Sequence, residues 1–263
     1  RSKFMKVISI LNPKGGAGKT ISSVNIAYAL IRKGKKVLLI DTDPRSAIEI
    51  YLNIENEKTL NELIKEYYEN NKIKNFSDYI IKKNDLDIII SSPLISKIDT
   101  FFEIEYDDKQ AIFHSIIDLL DLFINYDYVI FDTEGTINNL NTAILNATDY
   151  IFVPSKSSNI DLNGIPDIVN TYEKAKKRNK KLKIKKVFLV DVSERTNSFK
   201  DAKKDFEDYF KNTGINFSDT YIRHDQNIVN SMKKTIDIFN YKNTSNSAID
   251  YRNLIDEFLE GER

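Results

Sequence analysis

Cysteine is absent from this 263-residue chain. That excludes structural disulfides and cysteine-ligated zinc or iron–sulfur chemistry. Long apolar runs are missing too. None approaches the roughly 18 residues of a membrane span. Arg1-Ser2-Lys3-Phe4 is too short for a signal peptide. Residues 1–4 read as an appended tail, with Met5 as the natural start, and a cytoplasmic protein is expected. Charge of one sign is also lacking, since 39 Lys+Arg balance 39 Asp+Glu. The balance is uneven along the chain, however. Residues 1–150 carry a net −4, residues 151–249 a net +7 and residues 250–263 a net −3. A polyanion is therefore expected to meet the third quarter. Aliphatic and aromatic residues make up 41%, enough for a core at this length. No internal repeat and no dividing linker is visible, so 1–263 reads as a single α/β domain.

Glycine is concentrated in one place, Asn12-Pro13-Lys14-Gly15-Gly16-Ala17-Gly18-Lys19-Thr20. The apolar run Val7-Ile8-Ser9-Ile10-Leu11 before it predicts a buried parallel strand. Val24-Asn25-Ile26-Ala27-Tyr28-Ala29-Leu30 after it is apolar at helical spacing. Strand, glycine-rich loop and helix together form a phosphate-binding context. The glycines let successive N–H groups turn inward toward an anion, and the helix N-terminus adds its positive end. Lys19 would reach the β- and γ-phosphates of a nucleotide, and the Thr20 hydroxyl would hold Mg²⁺. Two further strands end in acids. Val37-Leu38-Leu39-Ile40 runs into Asp41-Thr42-Asp43-Pro44, and Tyr126-Asp127-Tyr128-Val129-Ile130-Phe131 ends at Asp132. Carboxylates there face the ligand crevice of a doubly wound sheet. Asp43 is placed to orient an attacking water or hold a Mg²⁺ water. Asp132 would reach Mg²⁺ through water.

Lys14-Gly15-Gly16-Ala17-Gly18-Lys19-Thr20 resembles the deviant Walker A of the ParA/MinD family of dimerising ATPases. Pro13 stands where an ordinary P-loop has its first glycine. The resemblance covers most of residues 5–260, strongly at 7–44, clearly at 126–154 and weakly at 187–245. It implies a P-loop NTPase fold, a mostly parallel doubly wound sheet with helices on both faces. It also implies ATP/ADP and Mg²⁺ as cofactors, and a slow ATPase. In the family the early lysine crosses a dimer interface to the partner's nucleotide, which assigns Lys14 to catalysis beside Lys19 and Asp43. The nucleotide contacts carried over are Lys14, Gly15, Gly16, Ala17, Gly18, Lys19, Thr20 and Ile21. The metal set is Thr20, Asp43 and Asp132. Three positions depart from the pattern. Ile21 replaces a hydroxyl residue, Arg45 replaces the glutamine of switch I, and Glu134 sits in the Thr133-Glu134-Gly135-Thr136 switch II segment. The nitrogenase iron protein shares the loop but needs cysteine ligands.

Leu86-Asp87-Ile88-Ile89-Ile90, Tyr150-Ile151-Phe152-Val153-Pro154 and Val187-Phe188-Leu189-Val190-Asp191 read as further strands. Ile112, Phe113, Ile116, Ile117, Leu119, Leu120 and Phe123 give a helix with a wide apolar face. A long helix starting near Ile165 leads into residues 174–186, where nine of 13 are Lys or Arg. That run is a solvated connector or an anion site. Thr220-Tyr221-Ile222-Arg223-His224-Asp225-Gln226-Asn227 resembles the family's last strand-to-helix turn, so Arg223 and His224 would border the adenine. Closest in type are the DNA partition ATPases. These imply an ATP homodimer on non-specific duplex DNA and a centromere-binding (ParB-type) or cargo adaptor protein that stimulates hydrolysis. Nucleoid association would follow. Candidate DNA contacts are Lys200, Lys203, Lys204, Arg223, Lys233 and Lys234, with 174–186 as second choice. A positioning ATPase for a protein cargo would share every motif. A MinD-like membrane binder would need a basic amphipathic C-terminal helix, whereas residues 250–260 are acidic, so no membrane partner is expected.

Overall fold

The computed structural model describes residues 5–98, 112–124, 126–136 and 138–262. The expectation for residues 1–4 lies outside these, as do the side chains of Leu119, Leu120 and Phe123. Seven strands form one sheet: β1 (Lys6–Ile10), β2 (Val37–Asp41), β3 (Ile81–Lys83), β4 (Leu86–Ile89), β5 (Tyr128–Asp132), β6 (Tyr150–Lys156) and β7 (Lys183–Val190). Their order is β3-β4-β2-β5-β1-β6-β7. Every neighbouring pair is parallel except β3 with β4. The central strands are continuous Val/Ile/Leu runs because helices cover both faces. All five residues of β2 and of β5 are buried.

The helices are α1 (Lys19–Arg32), α2 (Ala47–Leu52), α3 (Leu60–Asn70), α4 (Ile112–Ile124) and α5 (Asn139–Ala147). After them come α6 (Asn159–Lys176), α7 (Asn197–Phe210), α8 (Gln226–Lys233), α9 (Ile238–Lys242) and α10 (Asn246–Glu260). Successive strand residues point to opposite faces, and the core divides accordingly. Ile8, Leu39, Ile130 and Phe152 pack with Val24, Leu30, Phe239 and Leu254 from α1, α9 and α10. Val7, Leu38, Ile40 and Val129 pack on the other face with Leu63, Phe113, Ile117 and Ile144 from α3, α4 and α5. A third cluster joins Ile151, Val153 and Leu189 to Ile168 of α6 and Phe206 of α7. Phe258 of α10 stands edge-on to Tyr128, Tyr150 and Phe152, with centroids 6.0, 5.8 and 5.1 Å away. The apolar face of α10 is therefore core. No helix among the described residues is long and apolar enough to cross a membrane.

The basic run 174–186 is divided. Its first residues end α6, 177–182 form a turn, and Lys183 to Lys186 open β7. Lys185 pairs with Glu262 at 2.5 Å. Lys186 is buried and pairs with Glu257. The run is thus partly neutralised by the acidic C-terminal helix. Residues 216–224 flank the upper half of β7. Val187 N donates to Asn216 O (3.0 Å), Ile222 N to Leu189 O (2.8 Å) and His224 N to Val192 O (2.7 Å). The other edge is β3, three residues long and carrying Lys82 and Lys83.

Candidate functional site

The C-terminal ends of β1, β2 and β5 lie side by side, with Ile10 opposite Asp132 and Asp132 opposite Asp41. The glycine loop leaves β1 and enters α1. Gly16 and Gly18 have φ of +75° and +82°, the left-handed region that glycine enters without strain. A Cβ on Gly18 would also lie 3.2 Å from Val190 Cγ2. Asn12 braces the loop from below. Its Nδ2 donates to Pro154 O (2.8 Å), and its Oδ1 accepts from Lys14 N (2.9 Å). The first turn of α1 holds no acidic residue, so its positive end is left for an anion.

Lys19 arches back over the loop, donating to Lys14 O at 3.2 Å. Burial pushes its pKa down, and the charges of Asp132 and Asp43 oppose that shift. Asp132 is fully buried at the end of β5. Its Oδ1 accepts from Ser23 Oγ at 2.8 Å, and its carboxylate also accepts from Thr20. Burial pushes its pKa up to about 6 despite these bonds. Its Oδ2 is buried and finds no hydrogen-bond partner among the described residues. An orphaned carboxylate oxygen beside a threonine hydroxyl and a phosphate loop fits a Mg²⁺–nucleotide complex. Thr20 and Asp132 are the residues that could hold such a metal or its waters.

Asp43 is likewise at the crevice, though through a different arrangement. Its carboxylate accepts from Arg45 N (2.9 Å) and Nε (3.0 Å) at Oδ1, and from Arg45 Nη2 (2.8 Å) at Oδ2. Burial pushes the Asp43 pKa up, but the Arg45 bonds outweigh it and the net shift is downward. Sequence reasoning assigned no role to Asp41, which the structure places at the centre of this turn. It is fully buried, and burial with the neighbouring Asp132 charge raises its pKa well above the usual range. It accepts from Asp43 N (2.9 Å) and Ile48 N (3.3 Å), fixing the chain after β2. The signal was its register with Asp132 at adjacent strand ends. Glu134 accepts from Asn138, and its charge also acts on Lys19 and Arg45. Gly135 lies over the loop, where a Cβ would come within 3.3 Å of Pro13 O and 3.5 Å of Lys19 Nζ.

A cavity of about 170 Å³ adjoins the loop. Gly16, Gly18 and Ile21 line one side, Val190 and Asp191 another, and Arg223, His224, Ile228 and Val229 a third. The two residues expected beside a base therefore meet the loop here, and Ile21 faces them with an apolar side chain. His224 Nδ1 lies 2.6 Å from Asp191 Oδ1, and Lys156 Nζ lies 3.5 Å from Asp191 Oδ2. Asp191 and Lys156 are further residues of this wall, not singled out from the sequence. Arg223 turns away to form a fork with Asp250, with Nη2 2.6 Å from Oδ1 and Nε 2.9 Å from Oδ2. Among the other basic candidates, Lys203 lies 3.7 Å from Glu207. Lys200 and Lys204 are exposed on α7, and Lys233 and Lys234 at the end of α8. A wider groove of about 810 Å³ lies between the end of α6 and the start of β7, away from the glycine loop.

Comparison with known proteins agrees with this layout. A family model described as AAA domain matches residues 5–185. An uncharacterized protein of Mycobacterium tuberculosis is 29% identical over 197 residues, covering 73% of this chain and 59% of its own length. This chain thus spans about three fifths of that relative. The chromosome partitioning protein ParA of Caulobacter vibrioides is 27% identical over 212 residues, 78% of this chain and 77% of that one. A substituted McdA of Cyanothece in complex with ATP superposes with a TM-score of 0.82 at 18% identity, covering 98% of each chain.

Proposed function

As the chain belongs to the ParA/MinD family of P-loop ATPases, we propose that it is an ATP-driven dimerisation switch of the DNA partition type. Residues 1–263 act as one ATPase domain in this reading. The observation that carries it is the orphaned Asp132 Oδ2, next to Thr20 at the mouth of the glycine loop. Bound Mg²⁺ would offset negative charge on the β- and γ-phosphates. The backbone N–H groups from Gly15 to Thr20 cradle the phosphates, and Lys19 adds a fixed cation. Ile21, with main chain at Arg223 and His224, borders the base. Asp43 orients the attacking water. Lys14 contacts the nucleotide of the second subunit, where a cation offsets developing charge. The core position of α10 supports a reading without membrane anchorage through that helix.

Lys14→Ala is expected to keep ATP binding but lose ATP-driven dimerisation or partner-stimulated turnover. Gel filtration with ATP and a stimulated hydrolysis assay check this. A variant that dimerises and responds normally removes Lys14 from the mechanism.

The reading also predicts DNA binding by the ATP–Mg²⁺ form to duplexes of arbitrary sequence, and much weaker binding with ADP. The protein is neutral overall, so affinity must come from one face. A dimer doubles that face and joins two weak sites. Lys200, Lys204, Lys233 and Lys234 remain the first candidates, with the exposed part of 174–183 second. Neutralising on the order of four phosphates gives a slope of about −3.6 in log K against log salt, or roughly a hundredfold weakening between about 50 and 200 mM. Anisotropy across salt and nucleotide states measures it. Binding indifferent to nucleotide would favour a protein cargo instead.

A further inference from the structure

We propose that Arg45 is a positioning residue that holds Asp43 back from the attacking water and so sets a low intrinsic rate of hydrolysis. The proposal rests on the ATPase reading above and adds to it a residue that governs the rate. Arg45 places three N–H donors on one carboxylate, its own backbone N and Nε on Oδ1 and its Nη2 on Oδ2. Such a fork fixes the plane of the carboxylate as well as its position. Aligning a water requires an oxygen with a free lone pair and enough basicity to take a share of a proton. With Oδ1 accepting two hydrogen bonds and Oδ2 one from a cation, Asp43 keeps a single free lone pair, of lowered basicity.

The two partners are unequal in freedom. The Asp43 side chain is 5% exposed, whereas that of Arg45 is 72% exposed. Asp43 is also tied by its own N–H to Asp41 Oδ1 at 2.9 Å. Arg45 is therefore the member that can leave, swinging into solvent with little loss of packing. A guanidinium does not release its partner by losing a proton in the physiological range. It must exchange one anion for another. Of the two acids across the crevice whose charges already act on Arg45, Glu134 and Asp132, Glu134 is the partly exposed one. It precedes Gly135, which overlies the phosphate loop. A shift of this segment toward bound phosphate would carry an alternative acceptor to Arg45 and leave Asp43 open to water.

Steady-state hydrolysis by wild type, Arg45→Gln, Asp43→Ala and the double variant tests this. Gln keeps a polar side chain of similar reach but neither the charge nor the fork. Arg45→Gln is expected to raise kcat by about tenfold, with KM for ATP within about twofold. Arg45→Lys, which keeps the charge but not the fork, should rise less. In the Asp43→Ala background the Arg45→Gln change should have no further effect, because Arg45 acts through Asp43. A kcat that falls or stays level in Arg45→Gln overturns the proposal, and so does an equal rise in the double variant. If wild type fails to bind ATP–Mg²⁺ by calorimetry, the ATPase reading itself falls, and the proposal with it.

Discussion

Lys19→Ala should bind ATP–Mg²⁺ about 10²–10⁴-fold more weakly than wild type. The residue is 7% exposed and its side chain bends over the loop to Lys14 O, so its ammonium already occupies the mouth of the anion site. A charge-assisted hydrogen bond contributes about 1.5–3 kcal/mol, and two phosphates would share this cation. The loss is also worse than simple removal of two bonds. Asp132 and Asp43, whose charges Lys19 faces, would then repel the incoming phosphates without a screen. Calorimetry with ATP–Mg²⁺ decides the matter. Affinity like that of wild type would show that the loop does not cradle phosphate.

Asp43→Ala should instead keep nucleotide and lose turnover. A positioned acid–base group is typically worth about 10²–10⁴-fold in rate. The Asp43 charge acts on Lys19 and Asp132, but the phosphate cradle itself is backbone N–H groups and Lys19, so binding is expected to survive. The variant should accumulate as an ATP-bound dimer in gel filtration. An unchanged hydrolysis rate would remove Asp43 from the chemistry.

Much of this was legible in the sequence because it is local. Val37–Ile40 and Val129–Asp132 are apolar runs closed by acids, and both became central strands. The glycine loop carries its own geometry in Gly16 and Gly18. What escaped depends on distance along the chain or on mixed patterning. β3 is three half-polar residues at an edge, too short to show a period. β7 begins four residues earlier than its apolar run, because alternating lysines mask Lys183 to Lys186. Lys186 looked like one more solvated lysine until Glu257, 71 residues on, arrived to pair with it. His224 had no visible partner because Asp191 is 33 residues away. Arg45 was seen as a departure from a pattern, but its effect on Asp43 is a matter of side-chain geometry.

The way the sheet is finished at both sides bears on how copies of this chain can associate. One border is a three-residue antiparallel strand bearing Lys82 and Lys83, with Lys82 near Asp87. The other is lined along its upper half by the irregular stretch 216–224, which takes up the β7 groups at Val187 and Leu189. Short, lysine-bearing or covered borders resist strand-to-strand joining. A continuous ribbon of sheets through many molecules is therefore disfavoured, and so is the amyloid-like route it would open. Assemblies that form and disperse on demand need such insulation, because a polymer zipped through its backbone would not come apart when the bound nucleotide changes.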